Sequence, residues 1–170
     1  DMDLSDSANL SQTLNNGDLV RVFSILDSLE DVVTVAGHVY RPGNYAFNDG
    51  MHVGDILADI KDVLPNVDLS YGLIRREAPS TREIYFEQFA LRDVFAGEVV
   101  ALAPRDKVVV FANDGERDAL IAGDIARLRG QTSLNEPAKV VSVVGPVKQP
   151  GSYPLMQGMS VKQLLQAAGN

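Results

Sequence analysis

The chain contains neither cysteine nor tryptophan. The first absence removes disulfides, thiol nucleophiles and iron–sulfur ligation together, and is neutral about compartment. The second, with aromatic residues at only 6%, argues against a sugar groove built on Trp platforms and leaves Tyr for that role. Positive charge is scarce as well: 15 Lys and Arg against 23 Asp and Glu give a formal net charge of −8. A nucleic-acid site needs clustered cations to displace counterions, so nucleic acid is not expected as a partner. No apolar run approaches the roughly 20 residues that a bilayer-spanning helix needs, and the chain reads as soluble. Nor is there a phosphate loop, a catalytic triad or a metal motif, so the expectation is a non-enzyme without cofactor.

What is present is a repetition. Val32-Val33-Thr34-Val35-Ala36-Gly37-His38-Val39-Tyr40-Arg41-Pro42-Gly43-Asn44-Tyr45 returns 108 positions later as Val140-Val141-Ser142-Val143-Val144-Gly145-Pro146-Val147-Lys148-Gln149-Pro150-Gly151-Ser152-Tyr153. The match continues through Gly50-Met51 with Gly158-Met159, Val53 with Val161, Ile56 with Leu164 and Leu57 with Leu165. A second offset, of 88, aligns Leu14-Asn15-Asn16-Gly17-Asp18-Leu19-Val20-Arg21-Val22-Phe23 with Leu102-Ala103-Pro104-Arg105-Asp106-Lys107-Val108-Val109-Val110-Phe111. Small modules in series usually bind or assemble. The expected organisation is an acidic, disordered lead-in over 1–13, then the terminal strand of a preceding module and a linker over 14–30. A complete module over 31–111, a helical linker over 112–137 and the first half of a second module over 138–170 follow. With no initiator Met, the chain reads as a piece cut from a longer array.

Within a module, β-branched residues over Val32–Gly37 predict a strand. Arg41-Pro42-Gly43-Asn44 predicts a turn into a second strand at Tyr45-Ala46-Phe47, because Pro presets φ and Gly accepts a positive one. Val53, Ile56, Leu57 and Ile60 predict a helix lying on the sheet, and Val161, Leu164, Leu165 and Ala168 repeat that stripe behind a Ser160 cap. Two strands over Gly72–Arg76 and Glu83–Phe86, a short helical segment over Phe89–Phe95 and a buried strand over Lys107–Phe111 complete an α+β, β-grasp layout: a small mixed sheet with one helix packed on it. The linker carries Ile121, Ile125 and Leu128 at helical spacing, so it predicts a helix over Glu116–Arg129 that packs on a module and sets the angle between neighbours.

The twice-occurring V-x-G-x-V-x-x-P-G-x-Y pattern, with the terminal Leu102–Val110 run, resembles the SLBB domain, the soluble-ligand-binding β-grasp family, as found in polysaccharide export proteins of Gram-negative bacteria. The resemblance implies a periplasmic, outer-membrane-associated parent protein that stacks such modules into a ring-like conduit for capsular polysaccharide or exopolysaccharide. It also implies homo-oligomers of the full-length protein, the polysaccharide and inner-membrane export partners as things it meets. A small-ligand receptor is the alternative that the family name suggests. One departure stands out: Asp62-Val63-Leu64-Pro65-Asn66 replaces the paired glycine that many members carry after the first helix.

Candidate contact residues each have a plain structural account beside the functional one. Arg41 and Asn44, with Gln149 and Ser152 in the matching places, sit at turn tips where a glycan or a neighbouring subunit could bind, although Pro and Gly there serve backbone geometry alone. Tyr45 and Tyr153 offer rings for stacking on sugar, or simply fill the core with the hydroxyl at its rim. Arg75 and Arg76, with Arg82, form a basic cluster suited to an anionic polysaccharide or to an ordinary solvated hairpin. His38 and His52 lack partners at metal-ligand spacing, and Asp55, Asp59 and Asp62 read as a solvent face without a nucleophile to serve.

Overall fold

The computed structural model describes residues 31–115, 117–132 and 137–169. The lead-in, the strand expected at Leu19–Phe23 and the centre of the polar linker lie outside the described residues.

The elements run β1 (Val32–Gly37), β2 (Gly43–Ala46), α1 (Val53–Ile56), a 3-10 turn (Ile60–Asp62), β3 (Val67–Glu77), β4 (Ile84–Phe89), α2 (Leu91–Phe95), β5 (Lys107–Ala112), α3 (Arg117–Gly130), β6 (Val140–Val143), β7 (Gly151–Pro154) and α4 (Val161–Ala167). Strands β2-β1-β5-β3-β4 make one mixed sheet in that order, with β1 and β5 parallel and the other neighbours antiparallel. This is the expected α+β, β-grasp-like layout. β5 stands in mid-sheet, which is why Val108 to Phe111 are apolar at four successive positions: Val108 and Val110 enter one core, Val109 and Phe111 the other.

Both hairpins keep one register. Val33 pairs with Tyr45 and Thr34 with Asn44; 108 residues on, Val141 pairs with Tyr153 and Ser142 with Ser152. The reversal is wider than the expected four-residue turn, because β1 runs on to Gly37 to stay paired with β5 and β2 starts only at Gly43. Gly37 has φ +93°, and a Cβ there would lie 2.0 Å from the Val110 carbonyl oxygen, so glycine is what allows β5 to close on β1.

The two helices diverge where their sequences do. α1 is a single turn, shorter than the expected stripe, because Asp62 accepts hydrogen bonds from the Ala58 and Asp59 N–H groups and Asp59 caps the 3-10 turn. Those carboxylates compete with helix propagation, and Ile60 is left exposed. Ala167 and Ala168 stand in the places of Asp59 and Ile60, so α4 continues to Ala167 from the expected Ser160 cap. Its buried side, however, is Ala167 and Ala168, with Val161 turned out.

Each face of the sheet has its own core. The first gathers Val33, Val35, Val53, Leu57, Val94, Val108 and Val110 beneath α1 and α2. The second gathers Tyr71, Leu73, Phe86, Val109 and Phe111 under α3, whose Ile121, Ile125 and Leu128 form the expected stripe, together with Val143, Tyr153, Ala167 and Ala168 of the second copy. The sheet is therefore covered on both sides, not on one. The segment without the paired glycine is extended and pinned: Val63 bridges Val39, Leu64 N–H donates to His38 O, and the His38 ring bonds Pro65 O at 2.7 Å.

Candidate functional site

Three groups of side chains answer to the candidate contacts. The first is the pair of hairpin tips. Tyr45 donates its hydroxyl to Arg41 O at 2.7 Å, and Tyr153 does the same to Gln149 O at 2.7 Å. The repeated tyrosine thus braces the residue four back, across Pro-Gly, and holds the wide loop closed. Asn44 accepts from Thr34 Oγ1 at 2.9 Å, and Arg41 reaches Asp62 at 3.7 Å with most of its side chain in water. Surroundings separate the two tips. Arg41 and Asn44 are exposed, whereas the second tip lies against α3 and the end of its own α4: Gly151 abuts Asp118, Ser152 Oγ accepts from Arg129 at 3.1 Å, and Gln149 N–H donates to Ala168 O. Tyr153 is fully buried, and burial pushes its hydroxyl pKa up.

The second group is arginine-rich. Arg75 and Arg76 lie next to each other on β3 and serve different partners. Arg76 pairs with Glu87 at 2.8 Å and Asp106 at 3.2 Å. Burial works against the Arg76 charge, yet these two carboxylates hold its pKa above the usual arginine value. Burial raises the pKa of Asp106, opposed by the Ala103 N–H and by Arg76. Arg75 instead joins a network around two nearly buried carboxylates. Glu77 meets Arg75 at 3.7 Å, Arg82 at 4.0 Å, Arg105 at 3.3 Å and Arg127 at 2.8 Å. Asp124 meets Arg75 at 3.6 Å and Lys107 at 2.8 Å. The cluster expected to be solvated therefore ties β3 and β5 to α3.

The third group is the anchor between the copies. Arg117 is almost wholly buried, ion-paired to Asp68, and donates to the carbonyls of Ala167 at 2.8 Å and Gln166 at 3.2 Å. Its guanidinium lies 5.4 Å from the Tyr71 ring centroid and 5.5 Å from that of Phe111. One cation thereby satisfies the C-terminal carbonyls of α4 and holds that helix against β3. Arg117 escaped sequence reasoning because a charged residue is discounted from a core, although it precedes Ile121 by one helical repeat. Glu77 and Asp124 escaped it because, beyond Arg75 and Arg82 close to Glu77, their cations come from segments distant in sequence: Arg105 and Arg127 for Glu77, Arg75 and Lys107 for Asp124.

The aspartates have local duties. Asp55 accepts from the His52 N–H at 2.8 Å, and Asp59 and Asp62 cap the turn described above. No group of His, Asp and Glu able to hold a metal occurs among the described residues. A groove of about 1000 Å³ runs along edge strand β4 toward the second copy, lined by Tyr85, Phe86, Gln131, Lys139, Met156 and others. Among the described residues no helix is long and apolar enough to cross a membrane.

Residues 32–59 and 140–169 each match the family model of the SLBB domain, and these are the two hairpin-plus-helix copies. No curated protein matches the chain.

Proposed function

From a chain that carries two SLBB segments, we propose a non-catalytic, periplasmic module of a polysaccharide export protein, whose work is subunit assembly and contact with the exported glycan. The SLBB match supports the polysaccharide-export reading at the level of module type. The observation that carries the assembly role is the shared core: Val143, Tyr153, Ala167 and Ala168 of the second copy pack with Tyr71, Leu73 and Phe111 of the first. Copies that bury apolar surface against each other are stacking units, and stacking units with a repeated step build arrays. Glycan or neighbouring subunits would meet the exposed tip at Arg41 and Asn44, since Arg75, Arg76, Gln149 and Tyr153 are engaged within the fold.

The intact protein is expected to form closed symmetric oligomers, seen by light scattering after size-exclusion chromatography. A strict monomer at cell-like concentration would count decisively against the reading. The groove along β4 favours a second reading, a small-ligand receptor, which calorimetry with periplasmic small-molecule pools would support and featureless titrations would remove.

A further inference from the structure

The first copy holds a cavity between its hairpin tip and α1. It measures about 270 Å³ and is lined by Arg41, Tyr45, Asp55, Ile56, Ala58 and Asp62 among others. Its existence follows from the early end of α1, where the chain leaves the helix at Ile56 and passes into the Asp59-capped 3-10 turn. In the second copy α4 runs on to Ala167 and its end closes on the matching tip. There Gln149 N–H donates to Ala168 O, the Gln163 side chain is spent on the Ser160 N–H at 2.8 Å, and Tyr153 is fully buried where Tyr45 is only partly so.

We propose that this cavity binds one uncharged sugar residue of the glycan, a hexose ring with free neighbouring hydroxyls. The volume suits a single ring, lying just below the range of about 300–1,000 Å³ typical of drug-sized ligands. Arg41 keeps most of its side chain in water, and its Nη2 stands 3.7 Å from Asp62 Oδ1, wider than a hydrogen bond. A sugar hydroxyl placed between them accepts from Arg41 and donates to Asp62, two roles that one hydroxyl fills at once. Both carboxylates are fixed by the backbone: Asp62 Oδ2 accepts from the Ala58 and Asp59 N–H groups, and Asp55 Oδ2 from that of His52. Fixed acceptors select for donors, which a hydroxyl supplies and an ionised carboxylate does not. Tyr45, Ile56 and Ala58 give the C–H face of the ring an apolar wall. Charge decides against an acidic sugar. Two carboxylates and one guanidinium line the cavity, so a uronate meets net repulsion there. The proposal deepens the glycan half of the function proposed above and rests on that half, not on assembly.

Amide shifts of the isotope-labelled chain, read residue by residue by NMR, test it. The probes are methyl glucoside, methyl galactoside and methyl mannoside, with methyl glucuronide as the charged counterpart, each titrated into the millimolar range. At least one neutral hexoside should shift Arg41, Tyr45, Ile56 and Ala58 and saturate, and the glucuronide should bind at least about tenfold more weakly. Arg41→Ala and, separately, Ala58→Phe should each raise the apparent Kd of that hexoside at least about tenfold. Both residues are exposed, so the amide spectrum away from the cavity stays that of the parent chain. Glucuronide binding as tight as that of the neutral sugars overturns the uncharged class. Binding that survives Ala58→Phe, or shifts confined to residues away from the cavity, overturns the site while the glycan reading stands. If no saccharide shifts any amide, the glycan half of the proposed function fails with the site, and the assembly half is left standing.

Discussion

At the scale of single residues, buried polar groups decide most of what is specific here. Tyr71 lies in the second core, stacked on Phe111 at 5.4 Å, and its hydroxyl has no hydrogen-bond partner among the described residues. Burial, reinforced by Tyr153 and Asp68 against the Arg117 charge, raises its pKa. The folded state therefore holds this proton more tightly than the unfolded chain does. Its contribution to stability is intact below the ordinary tyrosine value, about pH 10, and is lost as pH climbs from there toward the folded-state value. Tyr71→Phe removes an unsatisfied donor, so it should raise stability near pH 7 by about 1 kcal/mol. It should also flatten the loss of stability above about pH 10, read from urea midpoints along a pH series. An unchanged midpoint at neutral pH would show that the hydroxyl is satisfied in solution.

Among the elements, the hairpin with its following helix is the unit that repeats, and glycine positions show what each copy packs against. Gly37 admits β5, whereas Gly43, at φ +146°, faces open space. Gly37→Ala should cost on the order of 3 kcal/mol or more and loosen the β1–β5 pairing, because strain and a backbone clash act together. Gly43→Ala carries strain alone and should cost about 1 kcal/mol. Thermal melts of the two variants compare them directly, and equal losses would mean that β5 can retreat from β1. Strand identities, the order of elements, the Ser160 cap and the α3 stripe were legible in the sequence, since each depends on local pattern. Termination of α1 after one turn was legible in principle, in Asp59 and Asp62, but the apolar period Val53-Ile56-Leu57-Ile60 runs straight across both and carries no record of which carboxylate captures the backbone N–H groups.

For the molecule as a whole, the junction between copies is held by one buried cation. Arg117→Ala would leave Asp68 buried and unpaired and free the terminal carbonyls of α4, at a cost of about 3–5 kcal/mol. Hydrogen exchange should then show β6, β7 and α4 losing protection while β1 and β5 keep theirs. Arg117→Met with Asp68→Asn should recover part of the loss, because no uncompensated charge remains. Uniform loss of protection across the chain would instead make the two copies a single cooperative unit.

The sequence by itself determined the repeat, the order of the strands and the unbroken apolar run of β5, because strand and helix periods are written in neighbouring residues. Tertiary structure alone decided which faces of the two copies meet. Val53 and Val161 are the same residue in the same motif, yet one is buried and the other exposed. Arg75 and Arg76 are adjacent, yet one serves α3 and the other the Glu87–Asp106 pair. Burial and ion pairing depend on residues brought in from distant elements, and a local pattern carries no record of which partner arrives.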